Sequence, residues 1–209
     1  MYFWYGKVIA ENESGIVNAQ LKKSYVWGMG WFIFSEVMFF AAFFGALFYA
    51  RVLAVSWLGE SMEAPSLGSG WLSYLPLWNT IILVTSSVTV HFAHTAIKNG
   101  KRGAIKLWLG LTVALGLVFL VLQAEEYIHA YNELGLTLES GIYGSTFFIL
   151  TGFHGFHVTL GTLILAISLY RVFKGHFNHE DCFGFEAASW YWHFVDVVWI
   201  CLFFLVYIF

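Results

Sequence analysis

The sequence predicts an all-α bundle that crosses a membrane about five times, on three observations. Of 209 residues, 59% are hydrophobic and only 11% charged, where a soluble domain carries roughly 25% charged residues. The apolar residues gather into five long runs, and almost all Lys and Arg fall in alternate gaps between them. Aromatics make up 21% of the chain, with 10 Trp and 11 Tyr, as suits many water–lipid interfaces. A mean hydropathy of +0.72 is more apolar surplus than one soluble core hides, and a bilayer is its natural solvent.

The runs cover Trp27–Val55, Leu77–Ile97, Ile105–Ala130, Gly141–Tyr170 and Phe185–Phe209. Each reaches the ~20 residues needed to cross the hydrocarbon as a helix, and the longer ones tilt or extend past it. Backbone polar groups in lipid must pair internally, so such runs are helices, and the alternation of a membrane β-barrel is absent. Ser56–Leu75 holds Pro65, Gly59, Gly68, Gly70, Trp57 and Trp71 and reads as an external loop. No domain boundary interrupts residues 1–209, which read as a single transmembrane domain. Met1–Tyr5 is too short for the apolar region of a signal peptide.

The loops predict an orientation. Lys7, Lys22 and Lys23 precede the first run, Lys98, Lys101, Arg102 and Lys106 surround the second gap, and Arg171 and Lys174 follow the fourth run. Five crossings put these regions on one side, with Arg51 as the exception. Glu60, Glu63, Glu133 and Glu139 fall on the other side. The positive-inside rule then places the N-terminus inside and the C-terminus outside. The net charge of −3, with no basic patch, excludes a nucleic-acid partner. Cys182 and Cys201 stand apart in no metal-like pattern and read as incidental thiols.

Ionisable residues inside a membrane helix cost at least ~2.5–3.5 kcal/mol at its centre, so each needs a partner or a task. The first run carries Glu36 between phenylalanines, which makes it either protonated or paired. The second carries His91 and His94. The third ends in Gln123, Glu125, Glu126, Tyr127 and His129, near enough to its outer end for water or a headgroup to reach both acids. The fourth carries His154 and His157, and the fifth Glu186, His193 and Asp196. At ~100° per residue Glu186, His193 and Asp196 share a face. The ~1.5 Å rise places Glu36, His91, His193 and Asp196 at similar depths, as one expected polar belt in the inner half. For the histidines a structural bond that fixes packing outweighs a functional one. Small residues in the fourth run, Gly152 and Gly155 above all, are expected to let another backbone approach closely.

His91/His94, His154/His157 and His176/His179 are three His-x-x-His pairs. Membrane di-iron enzymes use i, i+4 pairs and doubled histidines, so a desaturase-type metalloenzyme is a remote alternative. No CxxCH, HExxH or phosphate-loop motif occurs. Neither a metal ligand nor a catalytic residue is assigned. A transporter using Glu36 and Asp196 would lack the discontinuous helices common in that class.

Four stretches resemble one family. They are Gly30-Trp-Phe-Ile-Phe-Ser-Glu-Val-Met-Phe-Phe40, Gln123-Ala-Glu-Glu-Tyr127, Gly144-Ser-Thr-Phe-Phe-Ile-Leu-Thr-Gly-Phe-His-Gly-Phe-His-Val158, and Phe183-Gly-Phe-Glu-Ala-Ala-Ser-Trp-Tyr-Trp-His-Phe-Val-Asp-Val-Val-Trp199. In order and over nearly the whole chain they resemble subunit III of the haem–copper cytochrome c oxidases. The resemblance implies an accessory chain with no haem or copper of its own. Its partners would be subunit I, which holds haem and copper and pumps protons, subunit II, which holds copper, membrane phospholipid, and cytochrome c through the complex. It implies a buried, proton-related group of Glu36, His193 and Asp196, and lipid-facing or structural polar residues at Glu125, Glu126, His154, His157 and Glu186. His176, His179, Glu180 and Asp181 form an inner-surface cluster suited to collecting protons, since histidine titrates near physiological pH. A multi-pass place in a bacterial plasma membrane is expected ahead of a mitochondrial inner membrane. Larger members carry two further helices before the one with Glu36, and Met1-Tyr-Phe-Trp-Tyr5 resembles the stub of the second. A subunit III-like chain of a quinol oxidase or nitric oxide reductase is the nearest alternative.

Overall fold

The computed structural model describes residues 7, 19–53, 74–132, 135–138, 141–174 and 183–208. They form five helices long and apolar enough to cross a membrane, and no strand occurs among them. These are α1 (Ala19–Leu53), α2 (Leu75–Lys98), α3 (Arg102–Asn132), α4 (Gly141–Lys174) and α5 (Phe183–Leu202), the last continued by a π-helical turn over Phe203–Ile208. The five runs of the sequence are thus five helices. Residues 56–73 of the expected external loop, the acids Glu60, Glu63, Glu133 and Glu139, and the cluster His176, His179, Glu180 and Asp181 lie outside the described residues.

On the side of the bundle that carries Lys and Arg each helix extends past its apolar stretch, where residues that reach water join the helical ladder without a desolvation cost. At 35 residues and ~1.5 Å per residue, α1 is far longer than the ~30 Å hydrocarbon core. Pro76 opens α2 in its first turn, where a missing N–H costs nothing. Gly100, at φ 67°, makes the tight turn into α3, with the Lys101 N–H bonded to the Ala96 carbonyl at 3.1 Å. Only glycine takes that backbone conformation freely.

α2 and α3 pack as an antiparallel pair with a regular seam. The buried positions of α2 include Pro76, Asn79, Leu83, Ser86, Val90, Ala93 and Ile97. Those of α3 are Ile105, Leu109, Thr112, Gly116, Phe119, Gln123, Glu126 and Ala130. Both advance in steps of four and three, the 3.5-residue period of a left-handed coiled pair. The Thr89–Thr112 hydroxyl bond, 2.8 Å, fixes the register, so that Ser86 faces Gly116 and Asn79 faces Gln123.

α5 closes the core through Trp192, which is fully buried. Its indole Nε1 donates to Ser86 Oγ of α2 at 2.9 Å. Its ring lies against Gly116 of α3 and Gly161 of α4 so tightly that a Cβ at either glycine would stand 2.9 Å from a ring carbon. One side chain therefore touches three other helices. The close approach expected at Gly152 and Gly155 is made at Gly116 and Gly161 instead. A Cβ at Gly155 would meet no described atom within 4 Å, and one at Gly152 only the Tyr127 hydroxyl at 3.5 Å. Among the described residues no neighbouring backbone comes within 4 Å of a Cβ at either glycine.

Gly161→Ala is expected to destabilise the chain by about 1–3 kcal/mol, the usual cost of overpacking. Gly155→Ala should leave stability unchanged or slightly raised, since alanine is the better helix former. Thermal unfolding in detergent of the two variants beside the parent checks this, and equal effects would contradict the packing described.

Candidate functional site

The intramembrane polar residues are not one connected hydrogen-bonded network among the described residues. They form three groups, each set by which helices face each other at that depth.

The first joins α1 to α4. Glu36 Oε2 and His157 Nε2 are 2.9 Å apart, with side chains 23% and 8% exposed. Glu36 lies 17 residues from Ala19 and His157 lies 17 from Lys174, roughly 25 Å along each helix by the same rise. The His157 ring lies 6.3 and 6.2 Å from those of Tyr191 and Phe194, which flank His193 on α5, so the Glu36–His157 pair is level with His193 but bonded to a different helix. His157 Nδ1 is 2.7 Å from the Phe153 carbonyl, which can only accept, so Nδ1 carries a proton. The Nε2···Oε2 bond then needs one more proton, on either side, and the pair is neutral in both arrangements. Phe40 and Tyr191 rings pack against the imidazole at 5.2 and 6.3 Å. Phe39 and Phe43 of α1 meet Phe153 of α4 at 5.0 and 5.8 Å. Across these contacts α1 is held to the bundle, while Trp27, Trp31, Met38 and Tyr49 on its other faces stay more than half exposed.

The second group lies between α2 and α5 toward the basic end, where Lys98, Lys101 and Arg102 stand. Glu186 Oε1 is 3.2 Å from His94 Nε2 and 3.9 Å from Lys98 Nζ. One turn and more deeper, Ser87 Oγ is 3.2 Å from His193 Nδ1 and lies beside the Asp196 carboxyl. Glu186, His193 and Asp196 do share a face of α5, and that face meets α2. His91 is exposed while Val90 and Ala93 point inward at the seam, yet it stays close enough to His193 to interact with it electrostatically.

The third group is at the far end. Glu126 is 7% exposed and accepts a 2.5 Å bond from the Tyr207 hydroxyl. It is closed off from bulk solvent and headgroups, contrary to expectation, because it is a seam position of α3. Glu125, one residue along, is exposed. Nearby, His154 is 1% exposed and its Nε2 donates to the Val195 carbonyl at 3.1 Å, between the rings of Phe119 and Trp199. Sequence reasoning missed Ser87, Tyr207 and Asn79. Asn79 had a signal, an amide at a 3.5-period position of an apolar run. Tyr207 had none, since a tyrosine near a helix end reads as an interfacial anchor.

Among the described residues no three His, Cys, Asp or Glu side chains are grouped to hold a metal ion. His94 and His157 face carboxylates, His154 a carbonyl and His193 a hydroxyl. This is the chemistry of packing bonds between helices. A groove of about 960 Å³ opens between α3 and α4, lined by Tyr127, Tyr131, Thr137, Phe148, Gly152 and Phe156 among others.

These features define a class: a polytopic membrane helical bundle whose buried polar groups bind its helices to each other. A family model described as cytochrome c oxidase subunit III matches residues 1–209. Proteins named cytochrome c oxidase subunit 3 from Mus musculus and Cyprinus carpio are each 43% identical to the chain, over 210 and 208 residues respectively. One of the same name from Dugong dugon is 41% identical over 208 residues. Each match covers 99% of this chain and 78% of the relative. The chain belongs to the cytochrome c oxidase subunit III family.

A double-mutant cycle with Glu36→Gln and His157→Leu is expected to give a coupling energy of about 1 kcal/mol, within the range of hydrogen bonds between membrane helices. Losses that add within about 0.3 kcal/mol would show that the pair contributes nothing.

Proposed function

We propose that the chain is the accessory subunit III of a proton-pumping cytochrome c oxidase, with no redox chemistry of its own. The observation that carries this reading is family membership over the whole chain, joined to four membrane histidines, His94, His154, His157 and His193, that bond to groups on neighbouring helices. Haem and copper belong to subunit I and copper to subunit II of the complex, and this chain stands against subunit I. Its long helix α1, exposed on most of its surface, suits a place among other membrane helices or lipid. The complex takes electrons from cytochrome c and delivers them to dioxygen. This reading seats it in a bacterial plasma membrane, with the lysine-rich end inside as the positive-inside rule requires. His176, His179, Glu180 and Asp181 then gather protons at the inner surface for subunit I, and Glu36, His193 and Asp196 are the buried polar groups nearest such traffic.

Two rates measured on the purified complex test this. Reduced cytochrome c, and not quinol, should be oxidised, and the reverse preference would move the chain to a quinol oxidase. A variant carrying His176→Gln, His179→Gln, Glu180→Gln and Asp181→Asn should take up protons more slowly at unchanged haem content. An unchanged uptake rate would end the collecting role.

Phospholipid is the remaining partner. The groove between α3 and α4 supports it, with hydroxyls of Tyr131 and Thr137 at the far end and the rings of Phe153 and Phe156 deeper, the polarity order of a lipid. Glu125, exposed near the same end of α3, suits a headgroup. Gly152→Leu puts a side chain into this groove and should lower the phospholipid that copurifies with the complex. Unchanged lipid content by mass spectrometry would remove the groove from the lipid reading.

A further inference from the structure

We propose that the far third of the α2–α3–α5 core holds a buried water site, formed by Asn79, Gln123 and Glu126. All three are seam positions. Asn79 is 0% exposed, Gln123 6% and Glu126 7%. The register set by the Thr89–Thr112 bond puts Asn79 opposite Gln123. Glu126 follows Gln123 by three residues, on the same face of α3, opposite Pro76. Proline brings no N–H to that carboxyl.

Five polar atoms of these side chains have no partner among the described residues. They are Asn79 Oδ1 and Nδ2, Gln123 Oε1 and Nε2, and Glu126 Oε2. The seam neighbours have nothing to offer them. Leu83 and Phe119 are apolar and fully buried, as is Leu202 on α5. The Thr80 hydroxyl already donates to the Pro76 carbonyl at 2.7 Å and accepts from Trp199 Nε1 at 3.0 Å. Tyr207 is engaged with the other oxygen of Glu126.

A buried amide left without any bond is costly, and two facing each other across a seam are not left so. Buried water makes about three hydrogen bonds to such groups, so five open atoms suit about two water molecules. A site that presents two donors from amide nitrogens and three acceptor oxygens suits water, which both donates and accepts, better than an ion of either sign. The water gives the Glu126 carboxyl a local solvent while the Tyr207 bond holds its other oxygen in place.

The test is a cryo-electron microscopy map of the whole oxidase at a resolution that shows ordered water. Density is expected within about 3.2 Å of an Asn79 or Gln123 amide atom and of Glu126 Oε2. Amides bonded directly to each other, with no density between, would overturn the site. X-ray radiolysis of the complex adds a second reading, since bound water labels the side chains beside it. Phe119 should gain oxygen severalfold faster in the parent complex than in one carrying Asn79→Leu with Gln123→Leu. Equal labelling would overturn the proposal, and if the double variant does not assemble, the parent map decides alone.

Discussion

The bundle depends on the seat of Trp192. Its indole meets α2 at Ser86, α3 at Gly116 and α4 at Gly161, and each contact requires the others. Ser86 and Gly116 face each other only in the register that the Thr89–Thr112 bond sets. Gly161 must lack a side chain for α4 to approach, and Thr162 next to it reaches within 2.7 Å of where a Gly116 Cβ would stand. Lipid offers no hydrophobic drive for helices to associate, so close packing and side-chain bonds must hold them. A large ring with one donor, fitted against two glycines, supplies both.

The same constraint explains the polar groups. In water an unpaired histidine or carboxyl costs little, and in lipid it costs several kcal/mol. Buried and half-buried ones are therefore met by a neighbouring element: Glu36 by His157, Glu186 by His94, His193 by Ser87, and one oxygen of Glu126 by Tyr207. These bonds join α1 to α4, α2 to α5, and α3 to the final turn, so together they fasten most of the bundle. The exposed face of α1 is the counterpart. It is apolar and aromatic all along, and it suits neighbours that an isolated chain does not supply.

Much of this was legible in the sequence. Five apolar runs gave five helices, because the bilayer leaves no other way to satisfy the backbone. The shared face of Glu186, His193 and Asp196 followed from helical period alone. Pairing across helices did not. Helical rise places Glu36 level with His193, but only the packing shows that its partner is His157 of α4. The chemistry of His91 suggests burial, whereas its place between the seam positions Val90 and Ala93 leaves it exposed. Nearness to a helix end suggests a solvated Glu126, and its position on the α3 seam buries it. Gly152 and Gly155 drew notice as a spaced pair, while Gly116 and Gly161, on separate helices, are brought together only by Trp192. The four motif stretches were enough to give the family, since they are the segments that meet at these contacts.

The central claim is that this chain supports a redox centre it does not contain. The most direct measurement is to purify the complex through a tag on this chain and record its visible spectrum, then strip the chain off and record both fractions. Haem a bands that stay with a large partner, while this chain comes away colourless, are the result this account predicts. Haem or stoichiometric iron leaving with this chain would contradict it.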